Sequence, residues 1–190
     1  MEIYLIRHTS PDIGQGICYG QSDIPLAITF NEEYLKLKQH LPEKFQAVYT
    51  SPKLRCMKLA EKLTETKDII SDNRLLELNF GDWELKNWDS IEQVELNKWM
   101  KDFVHISAPN GENFSMLHER AVHFFTELSG MDYEQVAVVS HAGFIRGIIA
   151  EVLEMPLRNA FKIPVAYGSV TKLNLDRNSG YCGIEYLSRI

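Results

Sequence analysis

The sequence predicts an α/β fold with a mostly parallel central sheet and an antiparallel edge strand. Three observations predict it. An apolar stretch, Ile3-Tyr4-Leu5-Ile6, opens the chain and stops at Arg7-His8, as a buried strand bounded by a turn does. Strand-like runs then alternate with amphipathic helical patterns, the order that builds parallel sheets. Residues 167–175 and 181–187 read as two strands joined by Asp176-Arg177-Asn178-Ser179-Gly180, a hairpin that places an antiparallel edge on the sheet.

The chain has 190 residues, 45% hydrophobic and 24% charged, so one globular domain over residues 1–190 is expected. No apolar run approaches the roughly 18–20 residues that cross a bilayer, and the N-terminus shows no signal-peptide pattern. A cytoplasmic protein without a membrane partner is expected. The net charge of −6 disfavours nucleic acid as a partner. An anionic ligand would need a local cluster of cations inside this acidic envelope. Cys18, Cys56 and Cys182 are widely spaced and odd in number, which argues against a disulfide framework and a zinc site. Reduced, partly buried thiols are expected.

In chain order, Arg7 and His8 stand at a strand's carboxyl end, where α/β sheets collect ligands. Two readings stand here: an anion site, or a plain strand exit to solvent. Residues 9–27 form a long loop carrying Pro11, Gly14, Gly16, Gly20 and Pro25. Gln21 and Ser22 in its centre are read as substrate-facing, with a packed Ω-loop as the alternative. Thr29 or Asn31 caps the next helix, which buries Phe30, Tyr34, Leu37 and Leu41 and is ended by Pro42. Residues 45–50 form a second strand. Ser51-Pro52 begins a helix with Leu59, Ala60 and Leu63 inward. Arg55 lies one turn into it and, alone, reads as a solvated helix arginine.

Ile69-Ile70 is a short strand candidate. Glu77 follows among apolar neighbours, ahead of the Gly81 turn. Such surroundings raise a carboxyl pKa and suit a general acid; a surface glutamate at a strand exit is the alternative. Trp83 and Trp88 read as lid or core aromatics. A helix is predicted over 90–103. After the loop at 108–111, another buries Phe114, Leu117, Ala121, Phe125 and Leu128. His40, His105, His118 and His123 lack metal-ligand spacing and read as surface or partly packed. Residues 134–140 form a strand that runs into His141-Ala142-Gly143, with a helix over 144–153. A helix N-terminus attracts anions, which places His141 and Ala142 beside a candidate anion site.

The strand ends thus offer two guanidinium groups, Arg7 and Arg55, and two imidazoles, His8 and His141. A phosphoryl group needs such a set. Arginine forks bind its oxygens, and a neutral imidazole attacks phosphorus. The remaining cations stabilise the equatorial oxygens of the transition state. A protonated Glu77 gives its proton to the departing alkoxide and later activates water against the phosphohistidine. This chemistry requires no metal and no cofactor.

At these residues the sequence resembles the histidine phosphatase superfamily (phosphoglycerate-mutase-like). Ile6-Arg7-His8-Thr9 stands in place of the family's Arg-His-Gly strand end. Ser51-Pro52-Lys53-Leu54-Arg55 is similar to its second-arginine motif, and Glu77-Leu78-Asn79-Phe80-Gly81 to its Glu-x-x-aromatic-Gly stretch. Ser140-His141-Ala142-Gly143 resembles its Ser-His-x-Gly turn. The matches keep the family's order, and the likeness covers nearly the whole chain. It implies a three-layer α/β/α sandwich, a nucleophilic His8, a phosphate pocket of Arg7, Arg55 and His141, and Glu77 as acid and base. Thr9 departs from the family's Gly, and Ser10-Pro11-Asp12 replaces its Thr/Asn positions; a hydroxyl of Thr9 or Ser10 takes their place in this reading. The loop Gly16-Ile17-Cys18-Tyr19-Gly20-Gln21-Ser22-Asp23-Ile24-Pro25-Leu26-Ala27 is similar to that of α-ribazole phosphatases. That likeness implies removal of the 5′-phosphate from α-ribazole phosphate in cobalamin nucleotide-loop synthesis. A phosphoglycerate mutase, a broad-specificity phosphatase and a weakly catalytic phosphate-binding module are the rival readings. The expected partner is a small phosphorylated metabolite, and the expected assembly a monomer or homodimer.

Overall fold

Strand β1 (Glu2–Arg7) buries both faces, which is why its sequence is a continuous apolar run. Ile3 and Leu5 pack on one side with Ala121, Phe124, Phe144 and Ile148. Tyr4 and Ile6 pack on the other with Leu37, Cys56, Leu59 and Ala60. The computed structural model describes residues 1–64 and 69–190. In chain order the remaining elements are α1 (Phe30–Lys38), β2 (Ala47–Thr50), α2 (Leu54–Leu63), β3 (Ile69–Ser71) and α3 (Gln93–Lys101). Then come α4 (Phe114–Ser129), β4 (Gln135–Ser140), α5 (Ala142–Val152), β5 (Val170–Leu175) and β6 (Cys182–Arg189).

The six strands form one sheet in the order β3-β2-β4-β1-β5-β6. β1 to β4 run parallel, while β5 is antiparallel to β1 and β6 to β5. Helices α1 and α2 cover one face and α4 and α5 the other, giving three layers. Each fully buried Ile or Leu contributes about 1.5–3 kcal/mol, so the two faces of β1 anchor both layers. Register levels the strand ends. Arg7 pairs with Ser140 across β1 and β4, and Thr50 of β2 pairs with Val139 of β4. The chain from β1 travels toward β2, and the chain from β4 travels back past β1 to β5. The crevice between such diverging strands is where α/β sheets bind ligands.

Several local expectations shift. α1 is entered at Thr29, but the Thr29 hydroxyl bonds the Glu33 carboxylate at 2.6 Å instead of a backbone N–H. The helix ends at Lys38, short of Pro42. β2 begins at Ala47, two residues after the predicted start. α2 begins at Leu54 because Lys53 is extended (φ −70°, ψ 139°), leaving Ser51-Pro52 outside the helix. The helix expected over 90–103 is split into a 3₁₀ turn at Trp88–Ser90 and α3, capped by the Glu92 carboxylate. On α4 the buried series is Phe114, Leu117, Ala121, Phe124 and Leu128, spaced three and four apart, so Phe124 takes the core place predicted for Phe125. α5 starts two residues early, at Ala142, with His141 as N-cap. β5 starts at Val170 because Gly168 turns the chain with φ 62°.

Trp83 is a core residue in a third cluster with Leu78, Trp99, Phe114 and Leu117, and half-buried Trp88 packs against it. Cys18 and Cys56 are buried and Cys182 half-buried, all as free thiols. Among the described residues no helix is long and apolar enough to cross a membrane.

Candidate active site

The paired register of β1 and β4 delivers two histidines to one spot. His8 leaves β1 and His141 leaves β4 at the same level, with ring centroids 5.1 Å apart. Both rings are buried, and so is Arg55, which α2 projects between them.

Their partners fix the tautomers. A carbonyl oxygen only accepts, so Nδ1 of His8 carries the proton it shares with Thr9 O at 2.7 Å. A guanidinium only donates, so Nε2 of His8 accepts from Arg55 Nε at 3.2 Å and keeps its lone pair. By the same logic Nδ1 of His141 accepts from Arg55 Nη2 at 3.2 Å, and its Nε2–H donates to Ser51 Oγ at 2.8 Å. Burial holds the pKa of both imidazoles well below the ordinary histidine value, and the adjacent Arg55 and Arg7 charges add to it. Both rings are therefore neutral near pH 7.

Arg55 also donates to the carbonyls of Ser22 at 2.8 Å and Gly20 at 2.5 Å. Arg7 donates to Val165 O at 2.6 Å, and its buried Nε has no partner among the described residues. Among the described residues neither arginine forms an ion pair. Two guanidinium charges thus flank an unprotonated imidazole nitrogen, and among the described residues no carboxylate pairs with them. Buried charge without a counter-ion is costly, so such a pocket favours an anion.

Glu77 arrives on an irregular segment. Its carboxylate does not sit in apolar surroundings; it accepts the N–H of Gly143 at 3.0 and 3.1 Å and that of Leu78 at 2.9 Å. A Cβ at position 143 would lie 2.1 Å from Glu77 Oε1, so only glycine permits this seat at the start of α5. Gln21 and Ser22 are engaged within the protein. Gln21 Nε2 donates to Glu77 O at 3.0 Å, and Ser22 Oγ donates to Glu84 at 2.7 Å. Ala142 is the first residue of α5 and is 5% exposed. Thr9 is fully buried and its hydroxyl has no partner among the described residues.

Sequence reasoning missed four contributors. Tyr167 stacks on the Arg7 guanidinium at 3.7 Å and lies 5.6 Å from the His8 ring. Its hydroxyl hydrogen-bonds that of Tyr19, whose ring lies 5.5 Å from the Arg55 guanidinium. Glu84 gathers the N–H groups of Gly20, Gln21 and Ser22 at 3.0, 2.8 and 3.0 Å. Ser51 orients His141. Tyr19 stands within the loop at 16–27; the pairing with Tyr167, 148 residues away, leaves no local signal.

Histidines, arginines and a carboxylate gathered at the carboxyl ends of a parallel sheet define a phosphoryl-transfer class of enzyme. The chain belongs to the histidine phosphatase superfamily (branch 1), whose sequence model matches residues 3–183, and it is a phosphatase of that superfamily. It is 28% identical over 207 residues to the adenosylcobalamin/alpha-ribazole phosphatase of Escherichia coli, covering 97% of this chain and 99% of that protein. It is 26% identical over 182 residues to a Hydrogenobacter thermophilus protein named "Putative phosphoserine phosphatase 2", covering 92% and 89%. In fold it resembles the crystal structure of the alpha-ribazole phosphatase from Shigella flexneri, with a TM-score of 0.90 at 24% identity over 99% and 96% of the two chains.

Proposed function

We propose that the chain hydrolyses phosphate monoesters by transferring the phosphoryl group to Nε2 of His8. The observation that carries this reading is the unprotonated Nε2 of a buried neutral imidazole, its lone pair met only by the Arg55 N–H, set between two guanidinium groups that form no ion pair among the described residues. In the first step Nε2 attacks phosphorus and the bond to the leaving oxygen breaks. Arg7 and Arg55 hold the non-bridging oxygens, and Glu77 supplies the proton that the alkoxide takes away. In the second step Glu77 takes a proton from water, the water oxygen attacks phosphorus, and the P–N bond breaks to release inorganic phosphate. His141, its Nε2–H held by Ser51 and its Nδ1 by Arg55, lines the pocket beside the phosphate and keeps the Arg55 fork in place. No step requires a metal.

The proposed substrate is α-ribazole 5′-phosphate. The loop at 16–27 and full-length relatives named alpha-ribazole phosphatase support it. Phosphoserine is the second reading, supported by the name of the Hydrogenobacter relative. A screen of purified protein decides between them: α-ribazole 5′-phosphate, phosphoserine, and 3-phosphoglycerate with and without 2,3-bisphosphoglycerate. The expected result is the highest kcat/KM on α-ribazole 5′-phosphate, unaffected by EDTA. Dependence on the bisphosphate would make the chain a mutase. His8→Ala is expected to abolish turnover and the acid-labile phosphoenzyme, and full activity in that variant would sink the nucleophile assignment.

A further inference from the structure

The segment that carries Glu77 belongs to no strand. It lies between 3₁₀ turns at Asn73–Leu75 and Gly81–Trp83, so its backbone carbonyls need partners from elsewhere. One side chain on α4 supplies three of them, beside Gln21 Nε2 on Glu77 O at 3.0 Å and Ser140 Oγ on Leu75 O at 2.7 Å. Arg120 Nη1 donates to the carbonyls of Arg74 at 2.8 Å and Leu76 at 2.5 Å, and Nη2 donates to that of Glu77 at 2.9 Å. The guanidinium is locked in turn by Glu112, through Nε to Oε1 at 3.1 Å and Nη2 to Oε2 at 3.0 Å. Glu112 Oε2 also accepts the N–H of Asn79 at 3.0 Å, and the Glu112 N–H donates to Asn79 O at 2.8 Å. The pair therefore grips the backbone on both sides of Glu77. Its side chains are only 17% and 18% exposed, so this is an interior clamp and not a solvated surface pair.

We propose that Arg120, locked by Glu112, is a positioning residue for the Glu77 carboxyl group. The proposal rests on the reading of Glu77 as acid and base. An acid on irregular backbone has to be held within about 0.5 Å of its productive place, and side-chain rotamers alone do not achieve that. Here the segment is fixed at its carbonyls by the planar arginine fork. The carboxylate is fixed separately by the Gly143 N–H at the start of α5. A lysine at 120 would bring a single ammonium and could not hold three carbonyls and a carboxylate in one plane.

The test uses leaving-group dependence, which a merely structural role would not produce. Arg120→Ala and Glu77→Gln are each assayed on p-nitrophenyl phosphate and on an alkyl phosphate. Nitrophenolate departs without a proton, whereas an alkoxide needs one. The expected result for Arg120→Ala is a fall in kcat/KM, which reads the steps up to phosphoryl transfer and not the dephosphorylation common to both esters, of roughly tenfold or more on the alkyl phosphate and less than about threefold on the nitrophenyl ester. Gly143→Ala should produce the same selective loss from the other side of the carboxylate. Adding Arg120→Ala to Glu77→Gln should cost little more on the alkyl phosphate, because both disable one step. Equal losses on both substrates, or additive losses in the double variant, overturn the proposal. If Arg120→Ala fails to fold, Arg120→Lys and Gly143→Ala carry the same comparison under the same criteria. A uniform loss in Glu77→Gln overturns the acid assignment and the clamp with it. A selective loss there beside a uniform loss in the clamp variants overturns the positioning role alone.

Discussion

His8 shows how much a single ring owes to what its partners cannot do. Thr9 O cannot donate and Arg55 cannot accept, so the proton sits on Nδ1 and the lone pair on Nε2. The same burial makes the ring sensitive to acid. The pKa values of His8 and His141 are depressed in the folded chain, so the unfolded chain binds more protons once pH drops below about 6.5. Stability is therefore full above that pH and falls below it, by about 1.4 kcal/mol per pH unit for each ring, toward the depressed folded pKa. Melting temperature should decline between pH 7 and pH 5, and less steeply in His141→Asn; identical slopes would show that His141 is not held neutral. Thr9 gives a second prediction at this scale. A buried hydroxyl without a partner loses its hydration for nothing in return. Thr9→Val should leave the melting temperature unchanged or raise it, and a marked drop would reveal a hydrogen bond that the geometry does not contain.

The turn at residues 20–22, in the middle of the loop at 9–27, is gathered by one carboxylate. Glu84 accepts three successive N–H groups, the Ser22 hydroxyl at 2.7 Å and the Phe80 N–H at 3.2 Å. Burial alone would raise its pKa, but the bonds from Ser22, Gly20 and Gln21 outweigh it and the net direction is down. The carbonyls of Gly20 and Ser22 then meet Arg55, so Glu84 reaches the phosphate pocket through the loop backbone. Glu84→Ala should lower stability by about 2 kcal/mol, read by denaturant unfolding, and raise KM more than it lowers kcat. Unchanged KM would mean that the loop keeps its shape without the carboxylate. No sequence pattern announces this role, because three consecutive backbone donors carry no side-chain signature. Helix starts escape the sequence for a similar reason. Pro52 suits a first turn, yet the extended Lys53 postpones α2, and only the structure reveals that dihedral. Phe124 and Phe125 cannot be separated by composition; the spacing from Phe114 through Leu128 separates them once the register of α4 is known.

At the scale of the whole molecule, the ends of β1 and β4 are legible because each is an apolar run closed by a polar residue, and the structure brings His8 and His141 from those ends to Arg55. What stayed hidden was long-range contact: Tyr19 with Tyr167, and Arg120 with the Glu77 segment. Sheet assembly creates the site, since His8 and His141 leave the ends of β1 and β4 and Arg55 comes from α2, and the unfolded chain holds no such set. The chain carries a net charge of −6, so this pocket is a local exception within an acidic envelope. A phosphate that binds only the folded form must therefore stabilise the entire fold by mass action. At a hundred times its dissociation constant it adds about 2.7 kcal/mol, a rise in melting temperature of roughly 5–10 °C for a chain of this size. Phosphate should produce that rise at constant ionic strength, where chloride does not. Arg7→Gln should remove a large part of it, because Arg7 is one of the two arginines without an ion pair among the described residues that the dianion would neutralise. A phosphate effect no larger than that of chloride would mean that Arg7 and Arg55 do not form an anion site, and the assignment of His8 as nucleophile would lose its physical basis.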